Sequence, residues 1–264
     1  MNKYNNIFNK SLFIFIALFF VIMPVCFATD PFLWKEVQPA GATNQYWTAS
    51  SMSDDGNIIL AGSNGVGLYL STNGGTSWSK VQSAGNWQIS SMSDDGNIIL
   101  AGAHGGRLYL STNRGSSWSE VQPAGATNRY WHAGSMSDDG NIILAGVSNG
   151  RLYLSTNRGS SWSEVQPAGS TNQDWRSSSM SDDGNIILAG VYGGRLYLST
   201  NRGSSWSEVQ PAGATNQNWF INSMSSDGNI ILAGVNGGRL YLSTNGGTSW
   251  SEVQPAGSTN QDWT

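Results

Sequence analysis

The hydrophobic and polar residues of this chain follow one pattern that recurs along its length. The string S-M-S-D-D-G-N-I-I-L-A-G begins at Ser51, Ser91, Ser135 and Ser179, and the variant S-M-S-S-D-G-N-I-I-L-A-G begins at Ser223. Successive copies start 40, 44, 44 and 44 residues apart, and all 12 Trp fall on the same frame. Because self-similarity at a fixed period is the signature of a repeat architecture, the chain is predicted to consist of copies of one unit.

Local signals within one copy predict four strands. Trp131–Ser137 is a first strand that ends at the turn Asp138–Asn141, and Ile142–Gly146 is a second, a short apolar run of the kind buried on both faces. Arg151–Ser155 alternates Leu with other residues as a half-buried third strand does, and Trp162–Gln166 is the fourth.

Four strands in each unit of this length predict an all-β fold, a β-propeller of four-stranded antiparallel blades. The prediction comprises five complete repeats and a partial repeat at each end, within a domain over residues 29–264. Trp34–Gln38 is predicted to be a lone fourth strand, and Gly257–Thr264 to begin another first strand. These ends predict a propeller that is incomplete at the C-terminus, with a five-bladed ring and a solenoid as the alternatives.

Residues 1–28 have the pattern of a signal peptide. Lys3 and Lys10 precede the apolar run Ser11–Phe27, and small residues stand near the predicted cleavage site after Ala28. Cleavage there predicts a secreted or periplasmic protein with no membrane insertion, and an uncleaved anchor is the alternative.

Composition narrows the classes of function. The formal net charge is -4 and there is no basic run, which argues against a nucleic-acid partner. The single Cys lies in the predicted signal peptide, so the mature chain is expected to have no disulfide. His104 and His132 stand at different repeat positions, and the Asp-Asp-Gly-Asn strings are typical of turns rather than calcium loops. We therefore expect no metal site and no cofactor.

The third turn of each repeat carries a recognisable motif. Ser155–Trp162, S-T-N-R-G-S-S-W, resembles the Asp-box, or bacterial neuraminidase repeat, S-x-D-x-G-x-T-W. Each copy has Asn where the family has Asp, which retains an oxygen acceptor for the turn but loses its charge. The motif positions expected to be structural are Asn73, Trp78, Asn113, Trp118, Asn157, Trp162, Asn201, Trp206, Asn245 and Trp250.

The Asp-box resemblance includes sialidases, but this chain lacks their signature. Sialidases share three arginines, a Tyr–Glu pair, an Asp acid and an early Arg-Ile-Pro segment, whereas this chain has no Arg before Arg107. No residue matches a family catalytic position, so the protein is predicted not to be an enzyme. The repeat type also resembles the sortilin ectodomain and the photosystem II assembly factors, which implies binding to another protein.

The differences between the repeats cluster in two places. One is the pair of residues flanking the first Trp of each blade, and the other is the loop between the second and third strands. An up-and-down blade brings both to one end, and variable loops on a rigid scaffold are where binding usually resides. The candidate ligand-binding residues from these places are Tyr46, Tyr130, His132, Arg176, Tyr192 and Phe220.

A row of cations is expected at the same end, where the third strands begin. It comprises Arg107, Arg151, Arg195 and Arg239, with Gly67 at the equivalent position of the first repeat. One interpretation is a multivalent site for carboxylate, sulfate or phosphate groups. The other is that each Arg is solvated or pairs with a nearby acid.

The sequence thus favours a non-catalytic exported propeller that binds a glycan or a protein through its variable loops. A multivalent carbohydrate-binding module and a protein-assembly scaffold are both compatible with the repeats. A sialidase-like glycoside hydrolase is the least favoured alternative. The repeats do not predict the oligomeric state.

Overall fold

The computed structural model describes residues 36–255, 257 and 260–263. Contacts divide the chain into Met1–Val37 and Gln38–Thr264, and the fold below is that of the second unit. The predicted signal peptide, residues 1–28, lies outside the described residues. Within the described part, no helix is long and apolar enough to cross a membrane.

Twenty strands form five blades, each of four antiparallel strands taken in chain order. Blade 1 consists of β1 Trp47–Met52, β2 Ile59–Ser63, β3 Leu68–Ser71 and β4 Ser79–Gln82. Blade 2 consists of β5 Trp87–Met92, β6 Ile99–Gly106, β7 Leu108–Ser111 and β8 Ser119–Val121. Blade 3 consists of β9 Arg129–Met136, β10 Ile143–Val147, β11 Leu152–Ser155 and β12 Ser163–Val165. Blade 4 consists of β13 Trp175–Met180, β14 Ile187–Gly194, β15 Leu196–Ser199 and β16 Ser207–Val209. Blade 5 consists of β17 Gln217–Met224, β18 Ile231–Val235, β19 Leu240–Ser243 and β20 Ser251–Val253.

The all-β propeller predicted from the repeats is confirmed. First strands of consecutive blades pack together in chain order, β1 with β5, β5 with β9, β9 with β13 and β13 with β17. They form the inner surface of the blade array, and the fourth strands lie at the outer edges of the blades. Bounds differ from the sequence prediction by one or two residues, the ordinary uncertainty of strand ends.

Two blade pairs are joined through backbone hydrogen bonds. Strands β6 and β14 run eight residues and extend past their own blades to pair with β9 and β17. This places His104 opposite Tyr130, and Tyr192 opposite Asn218. The repeats therefore assemble as one four-stranded sheet and two eight-stranded sheets rather than as five separate ones.

The hydrophobic core lies between blades, in four clusters. Each cluster combines second- and third-strand residues of one blade with the first-strand Trp and second-strand residues of the next. Trp175 of blade 4 lies against Gly146 of blade 3, where an added Cβ would stand 2.9 Å from the Trp Cβ. The constant Gly of the I-I-L-A-G string thus has no side chain because the Trp of the next blade occupies that space.

Exposure at the two terminal blades follows from this packing. Trp87, Trp131, Trp175 and Trp219 are 2–3% exposed, whereas Trp47 of blade 1 is 41% exposed. At the other end of the array, Ile230 of blade 5 is 52% exposed, although its equivalents in blades 1 to 3 are buried. Each side chain is covered only where an adjacent blade packs against it.

The Asp-box turns use both polar atoms of the Asn amide. The Asn157 Oδ1 atom accepts from the Ser161 backbone N–H at 2.8 Å, and its Nδ2 donates to Ser161 Oγ at 2.8 Å. A carboxylate at this position could keep the second contact only by accepting from the Ser161 hydroxyl. The Trp162 Nε1–H donates to the Gly159 carbonyl at 3.1 Å, which fixes the ring beneath the turn.

Two consecutive residues of each box adopt positive φ. Gly159 has φ +75°, and the preceding Arg158 has φ +59°. The left-handed conformation is unfavourable for Arg. The Arg158 Nε–H donates to Asn141 Oδ1 at 2.9 Å, which ties the box to the turn between β9 and β10.

The predicted strand Trp34–Gln38 is not formed where the structure describes it. Glu36–Gln38 belongs to no strand, and the Gln38 carbonyl accepts from the Gly41 N–H at 3.1 Å in a turn. At the other end, Gln261 pairs with Gly238, and the Trp263 Nε1–H donates to the Gly238 carbonyl at 3.0 Å. This second contact is the expected beginning of a further first strand.

Replacing an interblade Trp should cost far more stability than replacing the exposed one. We expect Trp175→Ala to lower the free energy of unfolding by about 3–5 kcal/mol, because it leaves a cavity in a closed cluster. Trp47→Ala should cost less than half as much, because much of its ring is already solvated. Denaturant unfolding of both variants measures the difference, and equal losses would refute the interblade core.

Candidate functional site

The positions that differ between blades lie at one end of the inner surface. In each blade the loop after the second strand bonds to the residue before the first-strand Trp: the Ser148 N–H donates to the Tyr130 carbonyl, and the Tyr192 N–H to the Asp174 carbonyl, both at 2.8 Å. The uniform turns close the opposite ends of the same strands. The two variable regions are therefore neighbours within every blade.

Seven variable residues of blades 2 to 5 form one continuous set of contacts, named here the variable cluster. Its members are His104, Tyr130, His132, Asp174, Arg176, Tyr192 and Phe220. In its first half, the His104 ring lies 4.5 Å from the Tyr130 ring and 4.8 Å from the His132 ring, between centroids. His132 then reaches blade 4 through Arg176, whose Nη1 lies 3.5 Å from His132 Nε2.

Arg176 is the centre of the second half of the cluster. Its Nε and Nη2 atoms donate to the two carboxylate oxygens of Asp174 at 2.8 and 3.1 Å. Its Cζ lies 5.6 Å from the centroid of the Tyr192 ring, in the range of a cation–π contact. The Tyr192 and Phe220 rings meet edge to face at 6.4 Å.

The charges of Asp174 and Arg176 cancel within the cluster. Burial lowers the pKa of His132 to about 4, with the positive charge of Arg176 adding to the effect. A guanidinium only donates hydrogen bonds, so its contact requires His132 Nε2 to be the acceptor and the proton to be on Nδ1.

A cavity of about 240 Å³, named here the axial cavity, opens between the first strands of blades 2 to 5. His132, Arg176 and Phe220 belong to its lining, together with Ile89, Ser178 and Asn222. Ser178 Oγ and Asn222 Oδ1 are buried atoms without a hydrogen-bond partner in the described structure, and such atoms are costly to leave unpaired. The cavity thus combines an aromatic ring with hydrogen-bonding groups that have unused capacity.

A second, larger concavity of about 490 Å³ lies further out on blade 3. Tyr130, Asn149, Tyr153 and Glu164 are among its lining residues. Tyr130, which is 52% exposed, belongs to the variable cluster, and its ring is linked to His132 in the lining of the axial cavity through the His104 ring.

The arginines of the predicted row pair with acidic residues within their own blades, the second of the two interpretations. Each Arg that begins a third strand faces a Glu of the fourth strand, with N–O distances of 3.4 to 3.6 Å; the pairs are Arg107–Glu120, Arg151–Glu164, Arg195–Glu208 and Arg239–Glu252. In blade 1 the equivalent pair is Gly67 and Lys80, and the Lys80 side chain occupies the space that a side chain at Gly67 would fill. The loss of the Arg and the loss of the Glu thus occur together, as an ion pair within the blade requires.

The structure brings five of the six variable candidate residues together and leaves one apart. Tyr130, His132, Arg176, Tyr192 and Phe220 belong to the variable cluster, whereas Tyr46 stands on blade 1 and is 82% exposed. The two histidines were not expected to form a pair, because their repeat positions differ. They are adjacent because β6 extends into the next blade and places His104 beside blade 3.

Four further polar members of the site were not among the predicted candidates, namely His104, Asp174, Ser178 and Asn222. Asp174, Ser178 and Asn222 lie within three residues of a first-strand Trp. Ser178 and Asn222 share one repeat position, which differs between the repeats, so the same comparison, extended along the first strand, would have found both. Asp174 was visible as a difference, but its pairing with Arg176 across the intervening Trp was not.

The opposite end of the inner surface carries a row of carboxylates. The first Asp of each Asp-Asp-Gly turn donates its backbone N–H to the carbonyl of the equivalent residue in the next blade, at 2.9 Å, through Asp54, Asp94, Asp138, Asp182 and Ser226. Burial raises the pKa of Asp138 to about 7, and Asp94 and Asp182 on either side add to the effect. Within the described residues, no group of three His, Cys, Asp or Glu is placed to hold a metal ion.

Comparison with known proteins identifies the fold but not a family. No family model matches the sequence, and no curated protein matches it. The solved structure of an ancestral GH74 enzyme matches 86% of this chain, with 22% identity and a TM-score of 0.65. The GH74 xyloglucanase from Xanthomonas campestris matches 76% of this chain, with 20% identity and a TM-score of 0.57. The chain spans only 33% and 38% of those two proteins. YCF48 from Cyanidioschyzon merolae matches with 15% identity over 87% of this chain and 90% of its own, at a TM-score of 0.41, which is too low to support an inference.

Protonation of Asp138 should stabilise the protein as the pH falls. Its pKa is raised in the folded state from 3.8 to about 7, so the folded state binds the proton more tightly than the unfolded state. The stabilisation is complete below the unfolded pKa and is lost as the pH rises through about 7. As the pH rises from 3.8 to about 7, we expect the unfolding free energy of the wild type to fall relative to that of Asp138→Asn, which has no carboxylate at this position to titrate. Denaturant unfolding of both proteins at a series of pH values measures this difference.

Asp183→Asn is the matched control for this experiment. Hydrogen bonds from the Asn185 N–H and the Ser181 hydroxyl lower the pKa of Asp183, so its contribution is present above pH 3.8 and is lost below it. Its difference from the wild type should be flat between about pH 5 and pH 8. Parallel curves for the two variants in that range would contradict the assignment to Asp138.

Proposed function

We propose that this chain is a carbohydrate-binding propeller module whose site is the variable cluster and the axial cavity. The observation that supports this most directly is the convergence of the differences between the repeats. Blades that otherwise repeat the same residues contribute His132, Arg176 and Phe220 at one equivalent position, and all three line one cavity. A purely structural surface would give no reason for these positions to differ while the turns at the opposite end stay nearly uniform.

The chemistry of the site fits a sugar. Tyr130 and Tyr192 expose aromatic surface beside the cavity, and Phe220 lies within its lining. Aromatic faces supply apolar contact area, while Ser178 and Asn222 offer oxygens that can accept hydrogen bonds from ligand hydroxyls. A cavity of about 240 Å³ suits a part of a glycan rather than a large ligand.

Binding is proposed rather than hydrolysis. Glycoside hydrolysis commonly uses two carboxyl groups that flank the scissile bond, and the described residues lining the axial cavity include no Asp or Glu. The nearby Asp174 is engaged on both oxygens by Arg176. The xyloglucanase of similar fold supports only the more general point that such blades can carry a carbohydrate site.

Export is part of this proposal. The signal-peptide pattern of residues 1–28 would deliver the mature module to the periplasm or the exterior, where glycans are present. A polypeptide partner, as the assembly-scaffold alternative requires, is the competing occupant of the same surface. The experiment below discriminates between the two.

A glycan array with the mature protein tests the proposal. We expect saturable binding that Phe220→Ala or Tyr192→Ala weakens by about tenfold or more, because each removes one aromatic contact worth about 1–2 kcal/mol. Tyr46→Ala is the matched control, since it removes an exposed aromatic ring outside the variable cluster and should leave affinity unchanged. The contrary outcome is that no glycan on a broad array binds, while a pull-down with the wild type recovers a protein that Phe220→Ala fails to recover. That result would contradict carbohydrate binding and identify a polypeptide as the partner of this surface.

A further inference from the structure

We infer that the axial cavity selects uncharged sugars, and that Asp174 is the residue that imposes this selectivity by occupying Arg176. The inference rests on the proposed carbohydrate-binding function and assigns its ligand class. It replaces the acidic ligand that the arginine positions alone suggested. The cation of the cavity is already paired, the arginines around it are paired as well, and the remaining groups of the lining suit hydroxyls.

The Arg176 guanidinium is already paired with a carboxylate of the protein. Its Nε and Nη2 edge holds the Asp174 carboxylate in the bidentate geometry that a ligand carboxylate would also use. Its Nη1 atom faces His132 Nε2 at 3.5 Å, and one face of the group lies over Tyr192. An acidic sugar that bound through the Nε and Nη2 edge would have to displace Asp174, and one that bound elsewhere on the group would meet a cation whose charge Asp174 already cancels.

Cations elsewhere at this end of the blades are also committed. The four Arg that begin third strands each face a Glu on the neighbouring strand. Arg195 additionally donates through Nη2 to the Ala214 carbonyl at 2.6 Å, and Arg129 donates to the Ala124 carbonyl at 3.2 Å. An incoming anion would therefore compete with existing partners at each of these arginines.

In the lining of the axial cavity, the buried polar atoms without a hydrogen-bond partner are uncharged. Ser178 Oγ and Asn222 Oδ1 accept hydrogen bonds, and Phe220 presents an aromatic ring in the same lining. His132 stays neutral because its buried ring resists a second proton. A neutral pyranose supplies hydroxyl donors and apolar C–H faces, which match these groups without requiring charge compensation.

Asp174 acts here as a positioning residue. It lies two residues before Arg176, across the buried Trp175, so both side chains project on the same side of the strand. Its carboxylate fixes the guanidinium against Tyr192 and cancels its charge. Removing that carboxylate while keeping the size of the side chain should release a cation into the mouth of the cavity.

The test compares matched neutral and acidic probes by titration calorimetry. The probes are cello-oligosaccharides beside cellouronates, and oligogalactose beside oligogalacturonate, each pair differing in the C6 carboxylate. Wild-type protein should bind a neutral probe at least about tenfold more tightly than its acidic counterpart. Its affinity for the neutral probe should change by less than about twofold between roughly 0.05 and 0.5 M salt. Asp174→Asn should raise affinity for the acidic probe by about tenfold or more at low salt, and added salt should abolish the gain.

Two further variants assign the effect. Asp174→Asn combined with Arg176→Gln should lose the gained binding of the acidic probe, because the released cation is gone. Asp183→Asn removes one carboxylate from the opposite end of the blades and should leave the selectivity unchanged. Thermal unfolding of each variant confirms that it is folded before affinities are compared.

The outcomes separate the two claims. A wild-type preference for the uronates, or an Asp174→Asn variant that folds but keeps the original selectivity, would overturn the inference and leave carbohydrate binding standing. If the protein binds no glycan on the array and none of the neutral and acidic probes in the titrations, both the selectivity and the carbohydrate-binding function are wrong. Tighter neutral binding with the predicted switch supports both.

Discussion

The packing of a large aromatic side chain of one blade onto a glycine of the preceding blade holds this structure together. Because Gly146 has no side chain, the backbone of β10 can lie directly against Trp175 of the next blade. As a result only 2% of Trp175 is exposed. The same contact recurs at each junction, so the core is a series of interblade layers rather than one central cluster. In such a series each blade depends on its immediate neighbours, as in other repeat proteins.

This distribution of the core leaves the inner surface free to vary at one end. Successive side chains of a strand point to opposite faces, so the first-strand Trp can be buried while its neighbour in sequence remains accessible. His132, Arg176 and Phe220 occupy that neighbouring position in three consecutive blades. Along each first strand, residues that must stay constant because they pack between blades thus alternate with residues that face the inner surface and can differ.

Much of the fold follows directly from the repeats, because period, turn residues and apolar runs all indicate the same four-stranded unit. The site followed only in part. Comparing the repeats pointed to Tyr130, His132, Arg176, Tyr192 and Phe220, but their mutual contacts depend on β6 and β14 crossing into the next blade, which local patterns do not predict. The arginine row shows the same limit, since its Glu partners lie on another strand and become visible as partners only when the register is known.

Uniform blades supply the scaffold of this protein, and we propose that the residues in which they differ bind a neutral sugar. The decisive experiment is a crystal structure of the mature protein with an oligosaccharide identified on the array. We expect a sugar ring in the axial cavity, in contact with Phe220 and hydrogen-bonded to Asn222 or Ser178, with the Asp174–Arg176 pair intact. A ligand seated on the Asp-Asp-Gly turns at the opposite end, or one whose carboxylate has displaced Asp174 from Arg176, would contradict it.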